Sequence, residues 1–289
     1  MKPVIALGSI TILWGYGWVI MKIGLENCGP FTFNALRMCL STFFLFIILR
    51  FLKKELFPKR CPELILLGLF QTTLLFTLST FAVYAGNTGK VAFLVYSMPF
   101  FTLILSRIFL RETLNKIQIF TIFLALSGFI FMTFSYTDSS LGTSSILAIL
   151  AGFTWAISAI ITKKIQRRQP IDLLSLTTWQ MFFGCIPLVI ITFIIDDGPI
   201  IITPIFLVNI TFISVFVTAL GWVLWTYSLE NMKAGTVGIF SLLTPVIAVL
   251  ASSVHLQENL SPIELSGATL IGIALLVMGA HNLHISSKK

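Results

Sequence analysis

Charge is scarce in this sequence. Of 289 residues, 10% are charged and 57% hydrophobic, whereas a soluble domain carries about 25% charged residues. Roughly half of an ordinary soluble surface is already apolar, so a surplus this large excludes a soluble globular domain and calls for lipid as a second solvent. Cysteine is sparse as well. Cys28, Cys39, Cys61 and Cys185 form no CxxC or Cys/His ligand spacing, which excludes a zinc site. Cys28 and Cys61 fall near opposite membrane faces, so no bridge is expected, and all four read as small buried hydrophobes. Catalytic motifs are missing too: there is no HExxH and no Ser/His/Asp set at one depth. Gly86-Asn87-Thr88-Gly89-Lys90 has the tail of a phosphate loop, but Tyr84 stands where its first glycine belongs and Val91 where its Ser/Thr belongs. The loops are too short for a nucleotide-binding domain. The chain reads as no enzyme, with no cofactor and no metal.

What is present is a series of apolar runs. A bilayer core about 30 Å thick takes roughly 20 residues of helix. Runs of that size fall near 3–23, 31–51, 63–84, 90–110, 115–135, 144–162, 172–195, 204–229, 234–255 and 261–281, each bounded by charge, proline or glycine. Trp14, Tyr16 and Trp18 interrupt the first run, and no small-x-small site follows it, so it reads as a retained helix and not a signal peptide. Glu26 and Asn27 likewise spoil the lipoprotein-like Leu25–Cys28. The fold class is therefore an all-α integral membrane protein of ten transmembrane helices.

The net charge of +8 would suggest nucleic acid on a soluble protein, but here it sets orientation. With the N-terminus in the cytoplasm, the inner ends collect Arg50, Lys53, Lys54, Lys59, Arg60, Arg107, Arg111, Lys116, Lys163, Lys164, Arg167, Arg168 and Lys233. The outer side keeps Lys22 and Lys90 beside Glu26, Asp138, Asp196, Asp197 and Glu258. Ten spans with both termini cytoplasmic satisfy the positive-inside rule; nine or eleven scramble it. The expected location is the inner (plasma) membrane, with the lipid bilayer as partner and no nucleic acid.

The two halves resemble one another. Leu13–Lys22 aligns with Thr154–Lys163, so that Trp14 answers Trp155, and Pro30 answers Pro170. Met98-Pro99 answers Thr244-Pro245, and each proline is followed thirteen residues later by a glutamate, Glu112 or Glu258. Residues 1–138 and 139–289 thus form two five-helix units. An odd helix count makes the second copy enter from the opposite side, which is the inverted-repeat architecture of many secondary carriers. Plain duplication giving a stable bundle is the alternative.

This paired pattern of an early tryptophan, a mid-span proline and a glutamate after the matching helix resembles the drug/metabolite transporter superfamily in its ten-helix EamA-like branch, and Tyr96–Phe100 resembles a stretch common in bacterial members. The resemblance covers nearly the whole chain. It implies a carrier or exporter with a central cavity framed by helices 1, 3, 4, 6, 8 and 9, for substrates that across the family include amino acids, nucleosides, purines and toxic organic compounds. Gly15 and Gly17 become Ala156 and Ser158 in the second copy, so the halves need not contribute equally.

Candidate site residues follow. Trp14 and Trp18 share one helix face, with Gly15 and Gly17 admitting a close neighbour; with Trp155 they suit a flat or cationic solute, or simply pack. Arg37 is the one charge well inside a span. Such a charge costs about 2.5–3.5 kcal/mol on insertion scales and normally faces a partner or a wet cavity: it attracts a solute carboxylate or phosphate, or else it snorkels or pairs with Glu26 or another outer-side acid. Gln71, Tyr84, Tyr96, Gln180, Trp222 and Trp225 are further candidates for hydrogen bonding or stacking. Pro99 and Pro245 are expected to kink helices 4 and 9 and act as hinges, or to be kinks of structural value alone. Glu112 and Glu258 are expected to cap the next helix or pair with basic neighbours such as Arg111.

No Asp or Glu lies in mid-span, so a buried carboxylate relay of the proton-driven kind is missing, and gradient-driven export is the simpler expectation, with His255 or a helix-end acid as the alternative coupling group. The expected function is movement of a small organic solute by alternating access. A lipid-handling protein and a non-transporting sensor or partner subunit are the alternatives, and a homodimer is left open.

Overall fold

A computed structural model describes residues 3–54, 61–86, 88–113, 116–134, 142–168, 171–255 and 262–286. Lys2, Lys59, Arg60, Asp138, Pro170 and the segment Gln257–Ser261 with Glu258 lie outside them, as do Lys288 and Lys289. The described residues form helices α1 (Pro3–Gly24), α2 (Pro30–Phe51), α3 (Cys61–Ala85), α4 (Thr88–Leu110), α5 (Lys116–Phe134), α6 (Thr143–Arg168), α7 (Leu173–Ile194), α8 (Pro204–Asn231), α9 (Ala234–His255) and α10 (Pro262–Ser286). Eight of them, α1–α4 and α6–α9, are long and apolar enough to cross a membrane; α5 and α10 hold shorter apolar stretches, Ile119–Phe131 and Leu265–Ala274. Large hydrophobic side chains point outward with no protein neighbour to cover them, Phe193 at 85% and Leu276 at 74% exposure among them. Lipid is the solvent that accepts such faces, and the chain is an all-helical, multi-pass membrane protein.

Local chemistry sets the helix ends. Pro30 opens α2, and the Asp197 carboxylate accepts the backbone N–H groups of Phe31 and Thr32 at 2.7 and 3.0 Å, satisfying donors a helix start leaves free. Burial, and then the Asp197 charge, pushes the neighbouring Cys28 thiol up to about 12. Asp172 caps α7 through Ser175 N–H at 3.0 Å and pairs with Lys54 at 2.8 Å, a contact that raises the Lys54 ammonium pKa above its ordinary value. Thr203 caps α8 through Phe206 N–H, with Pro204 in the first turn. α6 runs to Arg168, six residues past the apolar run that marks it in the sequence, because Lys163 and Arg167 find backbone carbonyls to bond. Cys28, Cys39 and Cys185 form no disulfide. Cys28 and Cys185 are buried, whereas Cys39 and Cys61 are exposed, so burial holds for two of the four.

The helices are irregular in matching places. α3 contains a π-helical segment at Leu69–Leu74 and α8 another at Ile213–Leu220. α4 is interrupted at Tyr96-Ser97 and α9 at Leu242, two to three residues before Pro99 and Pro245. The expected kinks are thus realised as breaks, closed by tight three-residue hydrogen bonds such as Ser97 N–H to Leu94 O and Leu242 N–H to Ile239 O. The two broken helices touch there, with Gly238 packed on Pro99. The packing pattern is also matched: α1 lies against α8 and α9, and α6 against α3 and α4. α2 contacts α7 and α8, α7 contacts α2 and α3, and α5 pairs with α10.

Close helix contact depends on bare backbone, as is usual where lipid supplies no hydrophobic drive for association. A Cβ on Gly68 would collide with Gln180 O, and one on Gly184 with Gly68 O. Gly68→Ala and Gly184→Ala are each expected to destabilise the protein by about 1–3 kcal/mol through overpacking. Thermal unfolding in detergent reads the loss. Gly8→Ala, with nothing near its Cβ, serves as the silent control; equal melting of all three proteins would contradict the argument.

Candidate functional site

Four tryptophans meet at the centre of the bundle. Trp14 of α1 lies 5.3 Å from Trp155 of α6, 5.1 Å from Trp222 and 5.5 Å from Trp225 of α8, ring centroid to centroid, and Trp155 lies 5.3 Å from Trp225. Edge-to-face and tilted pairs like these each contribute about 0.5–1.5 kcal/mol beyond area burial. Sequence repetition places Trp14 and Trp155 on equivalent helices. Trp222 and Trp225 are three apart, so they share a face of α8. The π segment of α8 completes the arrangement. Gly221 N–H reaches back five residues to Phe216 O, so Val217 O, the acceptor an α turn would use, receives the Trp14 indole N–H at 2.8 Å.

A cavity lies between this cluster and the end of the bundle at which α1 passes into α2. It spans about 510 Å3, including the solvent at its mouth, and its walls include Trp14, Trp18, Met21, Arg37, Phe76, Ser79, Tyr96, Trp155 and Trp222. The room inside it is about 70 Å3, below the range of about 300–1,000 Å3 of open small-molecule sites, but an apolar lining with one placed charge is their usual composition. Arg37 is the single charged lining residue. It is 7% exposed; its Nε donates to Thr218 Oγ1 at 2.6 Å, one terminal nitrogen faces the Met21 sulfur at 3.9 Å, and its guanidinium carbon stands 4.7 Å from the centre of the Phe76 ring. Among the described residues no carboxylate comes within ion-pair distance of it. Glu26 is exposed at the end of α1, so the pairing with an outer acid open to the sequence is not formed among the described residues. A guanidinium carries five N–H donors, and the contacts seen among the described residues use two of them.

At the opposite end of the bundle charged side chains tie helix ends together around an open chamber. Lys163 Nζ donates to Leu229 O, to Met232 O at 2.7 Å and to Glu230 O at 3.4 Å, all at the C-terminus of α8, where a cation is favoured by the helix dipole. Arg167 donates to Leu110 O at 2.9 Å and pairs with Glu112 at 3.2 Å. Glu112 in turn accepts the Ala234 N–H of α9 at 3.4 Å, and Lys233 reaches Thr113 O at 3.2 Å. Glu112 therefore does cap and pair, but with helices α9 and α6 across the bundle instead of its neighbour Arg111. The cluster ties α4, α6, α8 and α9 together.

Of the residues singled out by sequence, Trp14, Trp18, Arg37, Tyr96, Trp155 and Trp222 line one cavity. Gln71 and Gln180 are fully buried outside it, at the contact of α3 with α7. Tyr84 is 60% exposed at the end of α3, on the side of the helix away from its packed residues Ala82 and Val83, and it does not line the cavity. Pro99 and Pro245 stand at the helix breaks. Phe76, Ser79 and Thr218 were not singled out: with 27 phenylalanines, nothing in the sequence marks the one beneath Arg37.

The EamA-like transporter family matches residues 1–134 and 142–280. The chain is 25% identical to an uncharacterized transporter, YoaV, of Bacillus subtilis (strain 168), over 94% of both chains. It is 27% identical to a probable amino-acid metabolite efflux pump of Salmonella typhimurium and to one of Escherichia coli (strain K12), covering 93% of this chain and 91% of each relative. A solved crystal structure superposes with a TM-score of 0.79 at 12% identity over 96% of both chains, a likeness of fold alone. With the family matched on both halves, the chain belongs to the EamA-like transporters of the drug/metabolite transporter superfamily.

Proposed function

We propose that the chain is a carrier in the inner membrane that exports small organic solutes bearing a carboxylate, amino acids or their metabolites foremost, by alternating access. In this reading ten spans form two inverted repeats, 1–138 and 139–289, with both termini cytoplasmic. The basic helix ends support that orientation, and the matched π segments, helix breaks and helix contacts support the inversion. The cavity then faces outward, and the Lys163–Glu112–Arg167 cluster ties the cytoplasmic helix ends together. Arg37 is the observation that carries the substrate class: a buried cation without a carboxylate of its own makes a strong, paired hydrogen bond to a carboxylate that enters. Trp14, Trp155, Trp222 and Tyr96 give an apolar side group aromatic faces to lie on. The names of two relatives, probable amino-acid metabolite efflux pumps, agree with that class.

Alternation needs moving parts, and the breaks before Pro99 and Pro245 are the natural hinges. The test is flux of labelled L-phenylalanine, L-leucine, L-cysteine, benzoate and succinate through proteoliposomes holding the purified protein, with the corresponding amines and neutral amides as controls. Carboxylates are expected to move and their amides to move at least tenfold more slowly. Equal flux of acid and amide would remove Arg37 from the recognition step.

A further inference from the structure

Four buried N–H donors on α3, α6, α7 and α8 lack a partner among the described residues, two of them at the tryptophan cluster and two at the contact of α3 with α7. Trp155 Nε1, Trp225 Nε1, Gln71 Nε2 and Gln180 Nε2 meet no acceptor among the described residues, although their residues are 4%, 1%, 1% and 0% exposed. The other end of each amide is engaged: Thr162 Oγ1 approaches Gln71 Oε1 at 3.5 Å, and Thr72 Oγ1 donates to Gln180 Oε1 at 3.0 Å. Turning either amide over leaves one end unpartnered all the same. A buried polar group with no partner is costly, and two such pairs, Trp155 beside Trp225 and Gln71 next to the Thr72 that holds Gln180, point to a partner from outside the chain.

The relation between the two halves says what that partner is. Arg37 on α2 reaches Thr218 in the π segment of α8; Gln180 on α7 reaches Thr72 in the π segment of α3. Val217 O in α8 holds the Trp14 indole, and Gln71 takes the matching place in α3, one residue before Thr72, while the indole of Trp155 is unbonded. Gln180 is thus the counterpart of Arg37, and Trp155 of Trp14. The frame that encloses a cavity on the outer side is packed shut on the inner side, with its donors left over. Below it a seam of polar side chains leads toward the cytoplasmic end. Thr162 adjoins Gln71, the Thr177 and Thr226 hydroxyls lie 3.2 Å apart, and Gln166 donates to Thr226 O at 3.0 Å. Gln166 also lines the chamber that holds Lys163 and Glu112.

We infer that Gln71, Gln180, Trp155 and Trp225 form a second, inner half-site, closed in this conformation, which takes the carboxylate of the outgoing solute before Arg37 does. The inference rests on the carrier reading above. An amide pair and two indoles offer neutral N–H donors, which hold a carboxylate less tightly than a guanidinium. The solute is therefore passed toward the stronger site on the outer face, and the two faces differ in affinity by construction.

Sided kinetics in proteoliposomes of uniform orientation test this, with labelled L-phenylalanine and benzoate as probes. Gln180→Met, which keeps the volume and removes the amide, is expected to raise KM at least tenfold for probe offered at the cytoplasmic face and less than twofold at the outer face. Arg37→Lys is expected to give the reverse pattern. The melting temperature of Gln180→Met should stay the same or rise, because a donor without a partner has been removed. A KM that shifts equally at both faces, or at neither, overturns the half-site while leaving the outer cavity in place. Collapse of the Gln180→Met fold overturns it as well, since the amide is then structural. No flux of either carboxylate by the unaltered protein sinks the carrier reading and the half-site together.

Discussion

Replacing Arg37 with methionine is expected to lower the affinity for a carboxylate solute about 10- to 100-fold, the worth of one charge-assisted hydrogen bond, and to leave the protein as stable as before or more so. The two halves of that expectation come from the same observation. Arg37 is buried and partnered by a hydroxyl, a thioether and an aromatic face, with no carboxylate among the described residues. A residue kept for stability would be compensated; exchanging an uncompensated buried ion for a hydrophobic side chain of like volume relieves its desolvation penalty. Loss of affinity with gain of stability is the signature of a group held for a ligand. Thr218 Oγ1 still donates to Ile213 O, so the substitution orphans no hydroxyl. Arg37→Lys keeps the charge but not the planar fork, and intermediate affinity is expected. Isothermal titration in detergent together with thermal unfolding measures both quantities. Unaltered affinity, or a fold lost in the methionine variant, would count against the assignment.

The second large effect belongs to Lys163. Its ammonium gathers three carbonyls at the C-terminus of α8, and no second cation duplicates those bonds among the described residues, since Arg167 is occupied by Leu110 O and Glu112. Removing a cation from a helix C-terminus costs up to about 2 kcal/mol, and the hydrogen bonds lost with it bring the total to about 2–4 kcal/mol. If that energy holds only the outward-facing state, Lys163→Ala shifts the balance between the two states by roughly 30- to 1,000-fold. Spin labels on the exposed Arg111→Cys and Asn231→Cys, at the ends of α4 and α8, are expected to report a longer mean distance in the Lys163→Ala background, and outward export should slow. An unchanged distance distribution would make the cluster a structural staple without a gating role.

Most of the helical frame was legible because lipid imposes a length and an apolar character that composition cannot hide. The miss in α6 shows the limit of that signal. Lys163, Lys164, Arg167 and Arg168 look like residues leaving the bilayer, yet the helix continues through them because helix ends elsewhere supply carbonyls. The tryptophan cluster was half legible: Trp14 and Trp155 stand out through repetition, but that Trp222 and Trp225 close the same floor depends on the depth to which α8 reaches. The π segments left no mark, since Leu69–Leu74 and Ile213–Leu220 read like any apolar helix. The correspondence of Arg37 with Gln180 was hidden for a further reason. Trp155 follows Trp14 by 141 residues and Pro245 follows Pro99 by 146, so the repeat drifts through unequal turns, and an arginine and a glutamine share no residue-type pattern. Contacts to Thr218 and Thr72 reveal it.

Those wide turns also carry a mechanical consequence. In an α-helix each residue advances the chain by about 100°, and a π turn accommodates one residue more than an α turn. Trp222 and Trp225 follow the wide turn of α8 directly, as Phe76 and Ser79 follow that of α3. Were either turn to tighten, every side chain beyond it would swivel about the helix axis, withdrawing the indoles of one helix or the phenyl ring beneath Arg37 on the other. Each helix thus stores a fraction of a revolution, positioned to turn an aromatic floor aside without sliding either end of the helix through the bilayer.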